Sequence, residues 1–303
     1  MVDVAAMRDF MNISYSLSKL AKECIMRITS KKLYFIISEE ESGPRKPFVW
    51  CELPADFYFK EYSVIGVNDV DNEIYLSLST SMLSKSLSTV RHHAYSLKIK
   101  LTIKQAPCIT LEIEQTSDDG AQGRQCVHDI PVEVVSVKYW DDYLEPQFND
   151  FHVSIQMPSL KHVKNIVERM KNMGHSLIVS ANKYGRLTLK IKTNMISLSA
   201  HFPDLSVESF VGKINTLETY YRTCQKPVDQ SRLPDSDSEN EAEDFGSVVS
   251  ANIDIKKFLM FLYGMQLNNS KTICSIVHGK MVKLHLEQPG ALSLQYFLTQ
   301  VII

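Results

Sequence analysis

One arrangement recurs four times along the chain: an amphipathic segment with basic outward positions, then two or three short alternating runs. Helix-like segments at 4–22, 80–92, 158–173 and 254–265 are each followed by strand-like runs, among them Lys32–Ile37, Ser96–Leu101, Arg186–Ile191 and Lys280–Leu286. Apolar residues three and four apart mark the first kind of segment, and strict alternation marks the second. Repetition in fixed order at this scale implies similar units built into one architecture. The chain, at 303 residues, exceeds one ordinary core and suits two domains of about 130–150 residues each.

The first half reads as a helix at 4–22 and strands at Cys24–Thr29, Lys32–Ser38, Phe48–Leu53, Phe57–Ile65 and Asn72–Leu78. A helix at Thr80–His92 and strands at Tyr95–Thr102, Cys108–Gln115 and Gln125–Val134 complete it. The strands are rich in β-branched and aromatic residues and are bounded by Gly, Pro, Asn or Asp. Ser136–Asp150 breaks the pattern and reads as a connector between domain 1–135 and domain 151–303. The second half repeats the scheme: strand Phe151–Met157, helix Pro158–Met173, and strands His175–Ala181, Arg186–Lys192 and Asn194–His201. After an interruption come strand Ser247–Ile253, helix Asp254–Met265, and strands Thr272–His278, Lys280–Glu287 and Leu292–Val301. Pro158 suits the first turn of its helix, where a proline forfeits no hydrogen bond, and Asp254 suits an N-cap. The class is α+β, two similar domains each with two helices packed on antiparallel sheets.

The longest apolar run, Phe258–Tyr263, is far short of the roughly 20 residues that span a bilayer. The opening residues show no secretory signal, and two glycosylation sequons, at Asn12 and Asn268, read as chance matches. Six cysteines are scattered without paired spacing, which speaks for a reducing compartment and against a zinc or disulfide framework. The net charge of −2 hides a segregation, because residues 203–246 hold ten acids against four bases and leave the remainder at +4. That segment reads as an acidic insertion, expected to be disordered, with 229–244 open to proteases. Ser236 and Ser238, each with an acid three residues on, are its candidate phosphate acceptors.

On a helical wheel the cations fall opposite the apolar stripes. In the first helix Arg8, Lys19 and Lys22 oppose Phe10, Ile13, Leu17 and Leu20; in the second, Lys85 and Arg91 oppose Leu83, Leu87 and Val90. Lys161 and Arg169 lie outward on the third, with Lys164 beside the stripe, and Lys256 and Lys257 do so on the fourth. Solvated faces ordinarily mix both signs; a face this one-sided in a net acidic chain points to a polyanion. Catalytic readings do not hold together. Cys126, His128 and Asp129 share one strand, where neighbouring side chains point to opposite faces. Asp141-Asp142 has no second acidic cluster near it in sequence, and His92-His93 suits the end of a helix. No glycine-rich phosphate loop, GxSxG or HExxH occurs, and no cofactor is expected.

The runs Trp50–Leu53, Asn72–Leu76, Leu97–Thr102, His128–Pro131 and Ser293–Phe297 closely resemble the Hus family. So do Ala21-Lys22, Val167–Lys171 and Asp254–Phe258. That family is one subunit of the heterotrimeric checkpoint sliding clamp, the nine-one-one complex, and the similarity runs from about Val2 to Asp204 and from Val248 onward. The resemblance implies a PCNA-like fold and a ring of three related subunits encircling double-stranded DNA. It implies that Gln125–Val134 and Met195–His201 are the joining edges. It also implies a non-enzymatic platform for checkpoint and repair proteins in the nucleus, placed on DNA by a separate clamp loader, with no membrane partner. A replicative homotrimeric clamp and a DNA nuclease are the alternatives. The family begins with a strand ahead of its first helix, whereas nothing here precedes the helix at 4–22. The expectation is therefore an alternative, truncated or mis-started form of a longer clamp subunit, less stable than one with that strand.

Overall fold

The computed structural model describes residues 1, 3–38, 47–66, 72–91, 93–116, 123–148, 150–211, 248–265 and 270–301. Among the described residues, four helices have eight or more residues: α1 (Val4–Leu20), α2 (Thr80–Leu87), α3 (Leu160–Met170) and α4 (Ile255–Gly264). In the first half α1 is followed by β1 (Glu23–Ile28), β2 (Lys32–Ser38), β3 (Pro47–Pro54) and β4 (Ile74–Ser79). After α2 come β5 (Ala94–Ile103), β6 (Pro107–Gln115) and β7 (Arg124–Val134). In the second half β8 (Val153–Gln156) leads into α3, followed by β9 (Ser176–Asn182), β10 (Leu187–Lys192), β11 (Ser197–Phe202) and β12 (Val207–Phe210). Then β13 (Val248–Asp254) leads into α4, followed by β14 (Lys271–Val277), β15 (Met281–Gln288) and β16 (Leu292–Thr299).

Twelve strands form one sheet in the order β12-β8-β14-β15-β16-β3-β2-β1-β4-β7-β6-β5, and β11-β10-β9-β13 form a second. The large sheet crosses from one half to the other where β16 pairs with β3, Ser293 opposite Glu52 through Tyr296 opposite Val49. Helix starts follow local chemistry. Asp3 caps α1 by accepting from the Ala6 amide at 2.9 Å, and Asp254 caps α4 through the amides of Lys256 and Lys257 at 2.7 and 3.0 Å. One apolar core lies between helices and sheets, and Phe10 of α1 is fully buried in it. Its ring lies 6.1 Å from Phe35 and Tyr58 and 6.2 Å from Phe59, centroid to centroid. Phe10→Ala should therefore destabilise the first half by about 3–5 kcal/mol, read as a lowered denaturant midpoint.

Three expectations need correction. Phe57–Ile65 is not a strand: Ala55–Tyr58 is a single helical turn and no strand follows it up to residue 66. Tyr58, Phe59 and Tyr62 turn their rings into the first-half core, so their aromatic character serves packing, not a ladder. Pro158 is not in the first turn of its helix; Ser159 is the N-cap and α3 begins at Leu160. The segment 203–246 is not wholly an unstructured insertion, because β12 lies inside it and pairs antiparallel with β8. Residues 212–247, including Ser236, Ser238 and the 229–244 stretch, lie outside the described residues.

His285 of β15 is partly buried and bonded to Ser293 at 3.0 Å between Nε2 and Oγ. Burial first, and then Lys283, lowers its pKa below the usual 6.5, against the opposing pull of Glu287, Glu145 and Glu52. The folded state thus favours the neutral ring. Its contribution is whole above about pH 6.5 and is lost as pH falls through the lowered folded value. His285→Gln should flatten the fall of the thermal midpoint between pH 6.5 and 5 relative to the parent protein.

Candidate nucleic-acid interface

The helices form a single row, α2 beside α1, α1 beside α4, and α4 beside α3, so the row crosses from one half to the other as the large sheet does. At the crossing, α1 and α4 approach through small groups. The Ser16 hydroxyl donates to the Gly264 carbonyl, and a Cβ built on Gly264 would meet the Ser16 carbonyl oxygen at 3.2 Å. Each helix buries one face: Met7, Phe10, Ile13 and Leu17 in α1, Leu83 and Leu87 in α2, Val163, Val167 and Met170 in α3, and Phe258, Leu259 and Leu262 in α4.

The cations read from the wheel come out on the opposite side. Arg8, Lys19, Lys22, Lys85, Arg91, Lys161, Arg169 and Lys256 are exposed, while Lys164 and Lys257 are partly buried. Lys22 follows the end of α1, and Arg91 closes the 3₁₀ turn Ser88–Arg91 after α2. Two aromatic rings share this face. Lys19 lies over Tyr15 at 4.6 Å, and Lys164 reaches from α3 over Tyr263 of α4 at 5.2 Å. Glu168 beside Tyr263 holds its phenol above the usual pKa. Sequence reasoning missed both pairs; the Tyr15–Lys19 spacing of four was a visible signal, whereas Lys164–Tyr263 depends on how two helices meet.

Charge is arranged differently on the sheets. Arg27 bonds Glu73 through two contacts of 2.8 Å, and Lys32–Glu52, Lys98–Glu114, Lys100–Glu112, Lys104–Asp129 and Lys271–Glu208 are ion pairs on or beside strands. By contrast, Arg8, Lys19, Lys22, Lys85, Arg91, Lys161, Lys164, Arg169 and Lys256 form no ion pair with a described acid. Six cations on or beside the strands are thus paired with described acids, and these nine along the helix row are not.

The residues that suggested catalysis serve structure. Asp129 accepts from the Thr110 hydroxyl at 2.6 Å and from Lys104, and the Lys104 bond first holds its carboxyl below the usual pKa. His128 bonds Thr89 at 3.1 Å, and Cys126 lies 3.6 Å from the Gln115 side-chain oxygen. Asp141 and Asp142 sit on the connector turn Val137–Tyr143, which lies against the sheet. There Trp140 stacks on Tyr75 at 4.5 Å and donates to the Val135 carbonyl at 3.1 Å. A 600 Å³ cleft opens between this turn and β1, lined in part by Ile25, Ile36, Val134 and Tyr143. Among the described residues, β11 and β7 both present open edges. β11 ends the smaller sheet, and β7 meets β4 only from Val132 to Val134, leaving 124–131 without a described partner on that side.

Residues 1–302 match the family model described as Hus1-like protein. The chain belongs to the Hus1-like family. It is 37% identical to human "Checkpoint protein HUS1" over 98% of this chain and 96% of that protein. It is 30% identical to the Drosophila melanogaster "Checkpoint protein Hus1-like" over 70% and 77% of the two chains. Among solved structures it resembles PCNA from Thermococcus kodakaraensis, with TM-score 0.63, 13% identity and coverage of 97% and 96%. It also resembles a chain of the PCNA2–PCNA3 complex of Sulfolobus tokodaii, with TM-score 0.61, 14% identity and coverage of 99% and 97%. These likenesses show the fold, a PCNA-like sliding clamp. Family and fold together make this chain a checkpoint-clamp subunit.

Proposed function

We propose that this Hus1-like chain is one of three related, non-identical subunits that close a ring around double-stranded DNA in the nucleus. The helix row faces the duplex and the sheets form the outer wall. The observation that carries this reading is the run of cations along the helix row, where Arg8, Lys19, Lys22, Lys85, Arg91, Lys161, Lys164, Arg169 and Lys256 form no ion pair with a described acid, while six cations on or beside the strands do. An uncompensated cationic face held rigidly by a buried stripe suits a uniform polyanion, and phosphate contacts alone impose no base sequence. The open edges of β7 and β11 are the joining surfaces, since an unpaired edge extends its ladder into another chain.

The protein acts without catalysis, as a platform that holds signalling and repair proteins at damaged DNA. A separate ATP-driven loader opens the ring. The connector cleft lies on the face opposite the helix row and suits a tethered partner segment. Topology supplies the test. The complex assembled from the three related subunits and loaded on nicked circular DNA should resist high salt and be released when the circle is cut. Equal loss from circular and linear DNA would contradict encirclement.

A further inference from the structure

The helix row carries two rings that phosphate binding leaves unused. Tyr15 of α1 is 46% and Tyr263 of α4 is 51% exposed, and neither belongs to the described apolar core. Arg8, Tyr15 and Lys19 follow one another at spacings of seven and four, which sets them on one face of α1. Tyr263 precedes Gly264, the residue that packs on Ser16 of α1, and its ring turns instead toward α3. There Lys164 lies over it at 5.2 Å, and Glu168, one turn further along α3, stands beside the phenol. α1 and α4 are neighbours in the row, so the two rings occupy successive stretches of one wall, on helix axes roughly 8–10 Å apart.

A duplex has little use for these rings. It turns phosphates and sugars outward, keeps its base faces stacked inside and shows only base edges in its grooves. An unpaired base is different, because every base has an open π face whatever its identity. Exposed aromatic rings interleaved with cations are the composition that tracks a single strand, base on ring and phosphate on cation. Glu168 argues the same way at Tyr263. Its carboxylate repels a phosphate from that ring but not an uncharged base.

We infer that Tyr15 and Tyr263 are stacking platforms for unpaired bases, so that the helix row holds single-stranded DNA as well as duplex. One base stacks on each ring. Lys19 and Lys164 exchange their weak cation–π contacts for the phosphates beside the stacked bases. The inference rests on the reading that this row faces nucleic acid and adds a second form of nucleic acid to it. The added contact distinguishes unpaired from paired DNA and tolerates any base sequence.

The test uses the complex assembled from the three related subunits, with substitutions in this chain alone, and linear oligonucleotides of about 20 nucleotides. Tyr15→Ala with Tyr263→Ala should lower affinity for oligothymidylate at least about tenfold and affinity for a duplex of equal length less than about twofold. The slope of log affinity against log salt should match the parent complex, because stacking releases no counterions. Tyr15→Phe with Tyr263→Phe keeps both rings and should bind oligothymidylate as the parent does. An abasic strand offers the phosphates without the bases, and the parent and alanine complexes should bind it equally. Thermal midpoints should be unchanged, since both side chains are about half exposed. Unchanged oligothymidylate affinity in the alanine complex, or an equal loss on duplex or abasic strand, would overturn stacking. If reversal of the row's lysines still flattens the salt slope on duplex, that failure belongs to the platforms alone. If lysine reversal changes neither form's binding, the DNA-facing reading falls, and the platforms with it.

Discussion

Changing Lys19, Lys85, Lys161 and Lys256 together to Glu should leave the fold intact and greatly weaken the hold of the assembled ring on DNA. All four side chains are exposed, one on each helix of the row, and none has a described acid partner whose loss would cost stability. Each phosphate contact adds about 0.9 to the slope of log affinity against log salt. Removing four contacts should make that slope shallower by up to about 3.6, or about a hundredfold less sensitivity between 50 and 200 mM salt. Reversal adds repulsion, so affinity at low salt should fall further than neutral substitution would cause. The measurement is a salt titration of ring binding to short linear duplexes. An unchanged slope would mean that the helix row is merely solvated.

The second large effect is expected at the β7 edge. Val135 donates its amide to the Tyr75 carbonyl of β4 at 2.9 Å, so residues 133, 131, 129 and 127 direct their amides to that same side. Pro131 already occupies this phase, where a missing N–H costs no bond to β6. Val127, 52% exposed, lies on the stretch without a described partner. Val127→Pro should therefore leave the lone subunit with a nearly unchanged thermal midpoint while blocking addition of a neighbour's strand. Loss of two or three ladder bonds at about 0.5–1.5 kcal/mol each corresponds to about a ten- to thousandfold fall in association. Size-exclusion of the co-expressed subunits reads this directly. Intact assembly would place the joint elsewhere.

What was legible in the sequence was local. Alternation in Leu187–Lys192 or Met281–Gln288 reports a strand because each residue's burial is set by the pleat beneath it. The wheel positions of Lys85 and Lys161 were readable for the same reason, since the stripe opposite them fixes their side. Phe57–Ile65 misled because aromatic residues that fill a core from an irregular segment look like a strand's buried face. β12 was hidden because it is only four residues long, inside a segment whose average composition is acidic. Long-range facts left no local trace. The pairing of β16 with β3 and the Ser16–Gly264 contact join residues more than 240 apart, and both decide how the two halves align. The order of the helix row follows from them. The ion pairs Arg27–Glu73 and Lys271–Glu208 likewise depend on which acids arrive from distant segments.

The most direct test of the account is the mass of the assembly in solution. Light scattering on the purified chain at micromolar concentration should give a monomer of 34.5 kDa, as the proposed pairing of its β7 and β11 edges with two different neighbours requires. Mixing with the two related clamp subunits should give a single species of one copy each. A stable trimer of this chain alone would contradict the heteromeric ring and favour a homotrimeric clamp.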